Sequence, residues 1–432
     1  ATYMYGLQLQ PGEEGTLGCG LGQRMSTGSK GIARPTIEIE NTGERHTIDG
    51  VELEFVYVLD TEAPVEIMVW IPQLKAFCTA EDMTHNMHNL QTLRGAKVRN
   101  GLLWSKAVDT AIERYGNQVE VSFSTHHWPT WGNERIVDYW EAQRDMYRYL
   151  HDQTLHLANR GLTPDEIAEE MKLPASLSSQ FNCRGYYGTL SHNVKAQYDL
   201  YFGWFNGNPA HLNPLPPSEL GAKYVEAIGG ADKVLEVAKA SYAKGEYRWV
   251  ATLLDNLVFA EPDNMEARQL LADTYTQLGY QAESGPWRNF YLTGARDLFK
   301  KDVPYTSQLI NDGVLAQMDM GTLLDYCAIQ LNGEKAAGKK AVININFTDT
   351  KEKVMLMLNN GVLNHRLDSQ DEKADLTLEI EKMNFVKLFF GRTDLQTLLK
   401  TDKVKTTGNT QAMDVICSAY EPADPNFKIV LP

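Results

Sequence analysis

Two carboxylates and four histidines lie beside turn signals in the segment Thr61–Trp131 of this 432-residue chain. Glu62, Glu81 and His126 each follow a predicted β-strand. Parallel or adjacent strands that end on one edge of a sheet would bring these three side chains to the same rim. Carboxylates and imidazoles that converge from different loops can hold two metal ions, with an oxygen ligand as the bridge. The segment is therefore compatible with a dinuclear metal site, but spacing alone favours the alternative, in which Glu62 and Glu81 are solvated turn residues and His126 packs on Trp128.

Three further residues in this segment have side chains suited to chemistry. His85 and His88 are three positions apart, so on a helical turn they would share a face. They could ligate metal, act as acid and base, or simply lie near the surface. The planar guanidinium of Arg94 could hold the oxygens of a tetrahedral anion. An HxHxDH motif, which would normally complete such a metal site, is absent from the chain.

The elements that must position these residues read as an α/β layer. Alternating apolar residues predict a hairpin with its turn at residues 41–44, and further strands follow. Apolar residues at helical spacing predict one helix between the last two strands. The predicted strands are Thr36–Glu40, His46–Phe55, Val65–Trp70, Ala76–Thr79 and Val119–Phe123, and the predicted helix is Leu102–Tyr115. Strands mixed with helices favour a layer whose functional site lies at the strand ends.

From Arg135 to about Gly294 the signals are helical. Thr163 followed by Pro164 is a typical helix start, with an N-cap and proline at the first helical position. Three successive helices then resemble a tetratricopeptide unit, which predicts a repeat-like helical domain. They are predicted at Ala231–Ala243, Tyr247–Phe259 and Asn264–Leu278.

After Lys300 the pattern predicts a compact α+β domain. Its apolar side chains could line a pocket, although periodic apolar residues more often form a core. The predicted strands are Val342–Phe347, Val354–Leu358, Val362–Arg366 and Ala374–Ile380, and the predicted helices are Ser307–Leu324, Met383–Phe390, Thr393–Lys400 and Thr410–Ala419.

Composition excludes several classes of protein. The net charge of −15 argues against a nucleic-acid binder, which needs a basic face. No apolar run approaches eighteen residues, so no transmembrane segment is expected. The five separated cysteines fit neither a zinc knuckle nor a disulfide framework and are predicted to be buried thiols. The glycine-rich run at residues 18–22 lacks the strand and helix of a phosphate-binding loop and is interpreted as a surface loop.

Long motifs in several parts of the chain resemble the alkyl sulfatases of the metallo-β-lactamase superfamily, the bacterial hydrolases of dodecyl sulfate and similar esters. The resemblance covers essentially the whole chain, in order. The motifs that carry it are Thr61-Glu62-Ala63-Pro64, Ala80-Glu81, Thr84-His85-Asn86-Met87-His88-Asn89, Leu93-Arg94-Gly95-Ala96, His126-His127-Trp128-Pro129-Thr130-Trp131-Gly132, Arg184-Gly185-Tyr186-Tyr187-Gly188 and Ser191-His192-Asn193.

This resemblance implies an enzyme with three parts. Residues 1–134 would be the second half of a metallo-β-lactamase-like α/β sandwich, residues 135–295 an all-α dimerisation domain, and residues 296–432 an α+β sterol-carrier-protein-like domain. The expected assembly is a homodimer, and the expected substrate is an alkyl sulfate. The expected cofactors are two Zn²⁺ ions that hold an activated water.

The resemblance also implies roles for individual residues. Glu62 and His126 would be zinc ligands, with Glu81 bridging both ions. His88 would contact the sulfate or protonate its leaving oxygen, and Arg94 would bind the sulfate. The helical part would complete the sulfate pocket; its three candidates, for which local packing is the alternative, are Tyr187, His192 and Asn193.

One departure from the family pattern limits these expectations. The HxHxDH ligand cluster of the family would lie before residue 1, so this chain would supply about three of roughly seven expected protein ligands and should be inactive alone. A non-catalytic lipid- or surfactant-binding dimer, or another metallo-β-lactamase-fold hydrolase acting on a phosphate or thioester, remains the alternative. Relatives are often periplasmic or secreted, but the N-terminus shows no signal-peptide pattern and the compartment stays open.

Overall fold

The computed structural model describes residues 1–24, 31–33, 35–299 and 311–432, and the chain divides into two compact units. The first unit comprises residues 1–26, 37–301 and 428–432, and the second comprises residues 27–36 and 302–427. Within the described ranges, no helix combines the length and the apolar character needed to cross a bilayer.

The first unit contains a six-stranded mixed sheet in which the strands lie side by side in chain order. The pairs β1–β2, β2–β3, β3–β4 and β5–β6 are antiparallel, whereas β4 and β5 are parallel. The strands are β1 (Arg45–Ile48), β2 (Val51–Leu59), β3 (Val65–Ile71), β4 (Ala76–Cys78), β5 (Val121–Phe123) and β6 (Thr130–Trp131). Because β2 and β4 are both antiparallel to β3, and β5 is parallel to β4, these three strands point the same way.

The first hairpin differs from the sequence prediction. Residues 36–40 form no strand, and the predicted strand over residues 46–55 is itself folded back at Asp49-Gly50. Both turn residues have positive φ, 49° and 82°, as a two-residue type I′ hairpin turn requires. The prediction was wrong because the alternation continues through the turn, which hides the Asp-Gly signal.

Five helices pack on or beside this sheet. Asn100 caps the first of them, since its side chain accepts hydrogen bonds from two backbone N–H groups of the first turn. The helices are α1 (Gly101–Tyr115), α2 (Asn133–Ala158), α3 (Pro164–Glu170), α4 (Ala175–Ser178) and α5 (Leu190–Phe202). One apolar core joins strand and helix residues from Val56 to Tyr198 and is continuous across residue 134. The predicted domain boundary therefore lies at the first turn of α2, inside this core.

Five more helices of the first unit form a separate apolar core, which also contains Val430 and Leu431. They are α6 (Pro217–Ile228), α7 (Ala231–Tyr242), α8 (Tyr247–Ala260), α9 (Met265–Gln281) and α10 (Gly285–Asp297). Helices α7, α8 and α9 lie where the sequence predicted three successive helices. Thr163 forms the predicted start of α3, with a reciprocal capping box to Glu166.

The second unit is a five-stranded sheet with helices, ordered β11-β10-β7-β8-β9. Its strands are β7 (Ala341–Phe347), β8 (Lys353–Asn359), β9 (Val362–Leu367), β10 (Leu376–Ile380) and β11 (Val404–Gly408), and its helices are α11 (Asp312–Gln317), α12 (Met320–Ile329), α13 (Gly333–Ala336), α14 (Lys382–Phe389), α15 (Leu395–Lys400) and α16 (Gln411–Cys417). Sequence patterning missed β11, and the predicted helix over residues 307–324 is two helices, with residues 307–310 outside the described ranges.

Candidate metal centre

Three loops at one edge of the first sheet bring the predicted site residues together. Glu62 follows β2, Glu81 follows β4 and His126 follows β5, the three strands that run in the same direction. The ends of β4 and β5, from which two of these loops begin, are also tied to each other, because the backbone N–H of Thr79 donates to the Phe123 carbonyl at 2.8 Å. The sheet topology thus provides the shared rim that the sequence predicted.

Glu81 lies at the centre of the cluster. Its Oε1 is 3.1 Å from His88 Nε2 and 3.0 Å from His126 Nε2, so one carboxylate oxygen accepts from two imidazoles. Burial alone would raise the pKa of this carboxyl, but the hydrogen bonds from His126 and His88 outweigh it and hold the pKa well below its usual range. Glu81 is therefore ionised at neutral pH, as a metal ligand must be.

The two histidines on Glu81 differ in environment. The bond to Glu81 raises the pKa of half-buried His126. Burial lowers the pKa of His88, which is fully enclosed. With Nε2–H donating to Glu81, the neutral His88 ring has Nδ1 as an acceptor, 3.2 Å from Arg99 Nη1; in the opposite tautomer Nδ1 would donate to the Asn89 carbonyl at 3.0 Å and the bond to Glu81 would be lost. With Nδ1 fixed in this way, only Nε2 of His88 faces the cluster.

Glu62 pairs with a buried arginine that the sequence analysis did not single out. Arg99 Nη2 donates to Glu62 Oε1, and Arg99 Nε donates to the Glu62 backbone carbonyl. The potential ligand atoms of Glu62, Glu81 and His88 lie within 4.8 Å of one another. This trio, rather than the predicted trio with His126, is the group in the described residues that fits a single ion; His126 joins it through the shared Glu81 oxygen.

Two additional buried carboxyl groups crowd the same place. Asp82 is fully buried, and burial together with the charges on Glu62 and Glu81 raises its pKa to about 7. Glu66 accepts from the Glu81 backbone N–H at 2.9 Å, and burial followed by the charge of Asp82 raises its pKa to about 9. Both Asp82 oxygens and Glu66 Oε2 are buried without a hydrogen bond of normal geometry.

Crowded, unsatisfied carboxylates of this kind are what a bound cation would stabilise. The donor chemistry at this rim therefore fits zinc. Sequence signals for the two extra residues existed, because Asp82 adjoins Glu81, and Glu66 shares its face of β3 with buried Met68 and Trp70. A charged residue on a buried strand face is unusual unless it is paired.

Helix α5 and the loop before it form one wall of the cluster. The Tyr187 ring packs edge-on to the His88 ring at 4.7 Å. Asn193 Oδ1 accepts from the Leu90 backbone N–H at 2.8 Å, and its Nδ2 donates to the His88 carbonyl at 2.9 Å. The Asn193 amide thus holds the backbone on both sides of Asn89.

His192 faces away from that backbone contact. Its Nδ1 accepts from Trp287 Nε1 at 3.0 Å, and burial lowers its pKa to about 4. The predicted role of Tyr187, His192 and Asn193 in binding substrate remains a prediction, and all three make packing or hydrogen-bond contacts within the protein.

Arg94 and His85 lie apart from the central cluster. Arg94 is exposed in the turn that ends at Gly95, and within the described ranges no ion pair holds its side chain. The segment containing His85 and His88 is irregular, so the predicted shared helical face was wrong. His85 instead stacks on Trp128 and Tyr139, with ring centroids at 5.0 and 4.7 Å.

Comparisons with known proteins agree on one family over the whole chain. Residues 163–301 match the family model described as alkyl sulfatase dimerisation, and residues 308–432 match the one described as alkyl sulfatase C-terminal. A linear primary-alkylsulfatase from Pseudomonas sp. is 45% identical across all of this chain, which spans 64% of that protein's length. A second linear primary-alkylsulfatase, from another Pseudomonas strain, is 30% identical across 98% of the chain and 81% of the relative.

A solved structure extends this similarity to the fold. The structure of a stereoselective inverting sec-alkylsulfatase from Pseudomonas sp. superposes with a TM-score of 0.96 at 39% identity, over all of this chain and 68% of the other. The mixed sheets and helices described above are therefore those of the matching part of that enzyme. The chain spans less than two thirds of the length of the first relative.

Proposed function

The chain belongs to the alkyl sulfatase family, and from this premise we propose that the protein containing it hydrolyses alkyl sulfate esters to an alcohol and inorganic sulfate. The observation that carries the proposal is the convergence of Glu62, Glu81, His88 and His126 at one sheet edge. Solvated turn residues would not share one carboxylate oxygen between two imidazoles. The cluster has the donor types of a metal-dependent hydrolase.

We assign the zinc-binding role to residues already in contact. Glu81, which contacts both His88 and His126, would be the bridging ligand, and Glu62 and His126 would be zinc ligands. Zinc bound here would polarise a water molecule and offset the negative charge of the sulfate. A cation bound at this rim would also stabilise the ionised form of the buried Asp82 and Glu66 carboxyl groups.

The chain's own groups supply proton transfer and substrate binding. His88 presents Nε2 to the cluster, where it can hold a proton and donate it to the leaving alkyl oxygen. Its inclusion in the trio that fits one ion makes ligation the competing role. The exposed guanidinium of Arg94 is available to bind sulfate oxygens, with Tyr187, His192 and Asn193 as residues of the pocket wall.

The remaining domain assignments follow from the family. Residues 1–134 would form the second half of a metallo-β-lactamase-like sandwich, and residues 135–295 would pair two copies into a homodimer, in keeping with the dimerisation model matched over 163–301. Residues 296–432 would form the sterol-carrier-protein-like domain. Its five-stranded sheet, helices and apolar core are compatible with that assignment.

Replacing Glu81 with alanine in the full-length protein tests the proposed function. We expect loss of dodecyl sulfate hydrolysis together with a lower zinc content, because both histidines and the bridging position depend on this carboxylate. Glu120→Ala is the matched control, since Glu120 is an exposed glutamate whose ion pair in the described part of the chain is with Lys75, at 3.8 Å.

Three outcomes would contradict the proposal. Unchanged turnover and zinc content in Glu81→Ala would show that Glu81 is not part of a catalytic zinc site. A wild-type protein that binds surfactant without zinc or hydrolysis would favour a non-catalytic binding dimer. Preference for a phosphate ester over a primary alkyl sulfate would instead indicate a different hydrolase of the same fold.

A further inference from the structure

Arg99 is a buried arginine that connects the two loops carrying Glu62 and His88. Its side chain is only 10% exposed. Buried guanidinium groups are uncommon because each N–H needs an acceptor and the charge needs a partner. The groups that Arg99 contacts therefore indicate why an arginine is buried at this position.

One side of the guanidinium holds the Glu62 loop. Nη2 donates to the Glu62 carboxylate through Oε1, and Nε donates to the Glu62 backbone carbonyl. Both the side chain and the backbone of this residue are thus fixed. Within the described ranges, Arg99 is the side-chain hydrogen-bond partner of Glu62 and contacts its Oε1.

The other side holds the segment that carries His88. Nη1 donates to the Asn89 carbonyl at 2.9 Å and to the Asn89 side-chain oxygen, and it lies 3.2 Å from His88 Nδ1. This ring nitrogen is on the opposite side of the imidazole from Nε2, which faces Glu81. Arg99 thereby restrains the ring from behind.

The backbone of Arg99 is itself anchored. Its N–H donates to the Leu90 carbonyl at 2.8 Å, and its carbonyl accepts from Gln197 Nε2 at 2.9 Å. A guanidinium on a fixed backbone can set the separation of two loops, which a mobile side chain cannot. Groups that hydrogen-bond to a metal ligand on the side away from the ion typically increase metal affinity about 10- to 100-fold.

We propose that Arg99 is a positioning residue that sets the separation and orientation of Glu62 and His88 for zinc binding. This rests on the proposed function, because it assumes that the cluster binds zinc. The essential property is the planar guanidinium group with its several N–H donors, not the positive charge alone. A lysine would keep the charge but could not reach the Glu62 and Asn89 loops simultaneously from a single nitrogen.

Zinc affinity of the full-length protein, measured by competition with a chromophoric chelator, tests this role. The variants are Arg99→Lys and Arg99→Met, and Arg114→Met is the control. Arg114 pairs with the Glu54 carboxylate at 2.7 Å in the same unit but touches none of the zinc-site residues. We expect both Arg99 variants to bind zinc about 10- to 100-fold more weakly and the control to match wild type.

The charge and geometry explanations predict opposite results. If Arg99 acted only as a charge, Arg99→Lys would bind zinc like wild type and Arg99→Met, which removes repulsion, would bind it more tightly. Either result would overturn the proposal. Urea unfolding of the metal-free variants shows whether each one folds. If Arg99→Met does not fold, the zinc affinity of the milder variant Arg99→Lys decides between the two explanations. Absence of zinc binding by wild type would refute the proposed function instead.

Discussion

Replacing Asn193 with leucine should destabilise the protein and weaken its zinc binding. Asn193 and Gln197 are one turn apart on α5, and both are fully buried. Each amide accepts from one backbone N–H and donates to one backbone carbonyl: Asn193 at Leu90 and His88, Gln197 at Gly101 and Arg99. Helix α5 thus fixes the segment around His88 through Asn193 and the start of α1 through Gln197.

The expected magnitude follows from the two backbone groups that each substitution leaves without a partner. Leucine for Asn193 and methionine for Gln197 preserve volume, so the cavity contribution is small. An unsatisfied buried polar group costs about 1–3 kcal/mol, so each variant should lose about 2–6 kcal/mol of unfolding free energy. Urea-induced unfolding of the metal-free protein, at one fixed protein concentration, measures this loss.

The two variants also differ in how directly they reach the zinc ligands. Asn193→Leu releases the backbone around His88 itself, whereas Gln197→Met releases the Arg99 carbonyl and reaches the ligands only through Arg99, so zinc affinity should fall in both variants and further in Asn193→Leu. A stability change below about 1 kcal/mol in both variants would refute the hydrogen-bond reasoning, because it would mean that water replaces the amides without cost. Wild-type zinc affinity in Asn193→Leu would refute the link to His88.

Three further predictions concern other parts of the first unit. Because burial lowers the pKa of His192 to about 4 from its ordinary 6.5, the unfolded state takes up this proton first as pH falls, and His192 by itself should reduce the unfolding free energy by about 2 kcal/mol between pH 7 and pH 5. Urea unfolding at both pH values should show a smaller loss of unfolding free energy in His192→Gln than in wild type. His156→Gln, which alters an exposed histidine of α2, should lose as much as wild type. Equal losses in wild type and both variants would be contrary evidence. Gly188→Ala would place its Cβ 2.5 Å from the His88 carbonyl oxygen, so we expect about 1–3 kcal/mol of destabilisation and weaker zinc binding, whereas unaltered zinc affinity and melting temperature would contradict that close approach. Thr163→Ala removes the capping box of α3 and should lower the unfolding free energy by about 1 kcal/mol, with Thr163→Ser close to wild type; a silent alanine variant would argue against the cap.

Much of the candidate site could be predicted from residue types beside strand ends. Glu62, Glu81 and His126 were candidates because each lies in the loop that follows a predicted strand, and sheet geometry then brings them together. Arg99 was not identified, since an isolated charged residue looks the same in a sequence whether it is solvated or buried, and the weaker signals at Asp82 and Glu66 were not used. Only the packed structure shows that their charges are enclosed and in contact with the predicted residues.

Local signals of the sequence by themselves determined most of the strands and helices, including the capping box at Thr163 and the three helices from Ala231 onward. Tertiary structure decided where those elements meet. The hairpin at Asp49-Gly50 places β2 in the sheet, and the antiparallel course of β3 gives β2 and β4 the same direction. The amides of α5, distant in sequence, then fix the segment around His88. Such contacts depend on satisfying buried polar groups across the fold, which local periodicity does not encode.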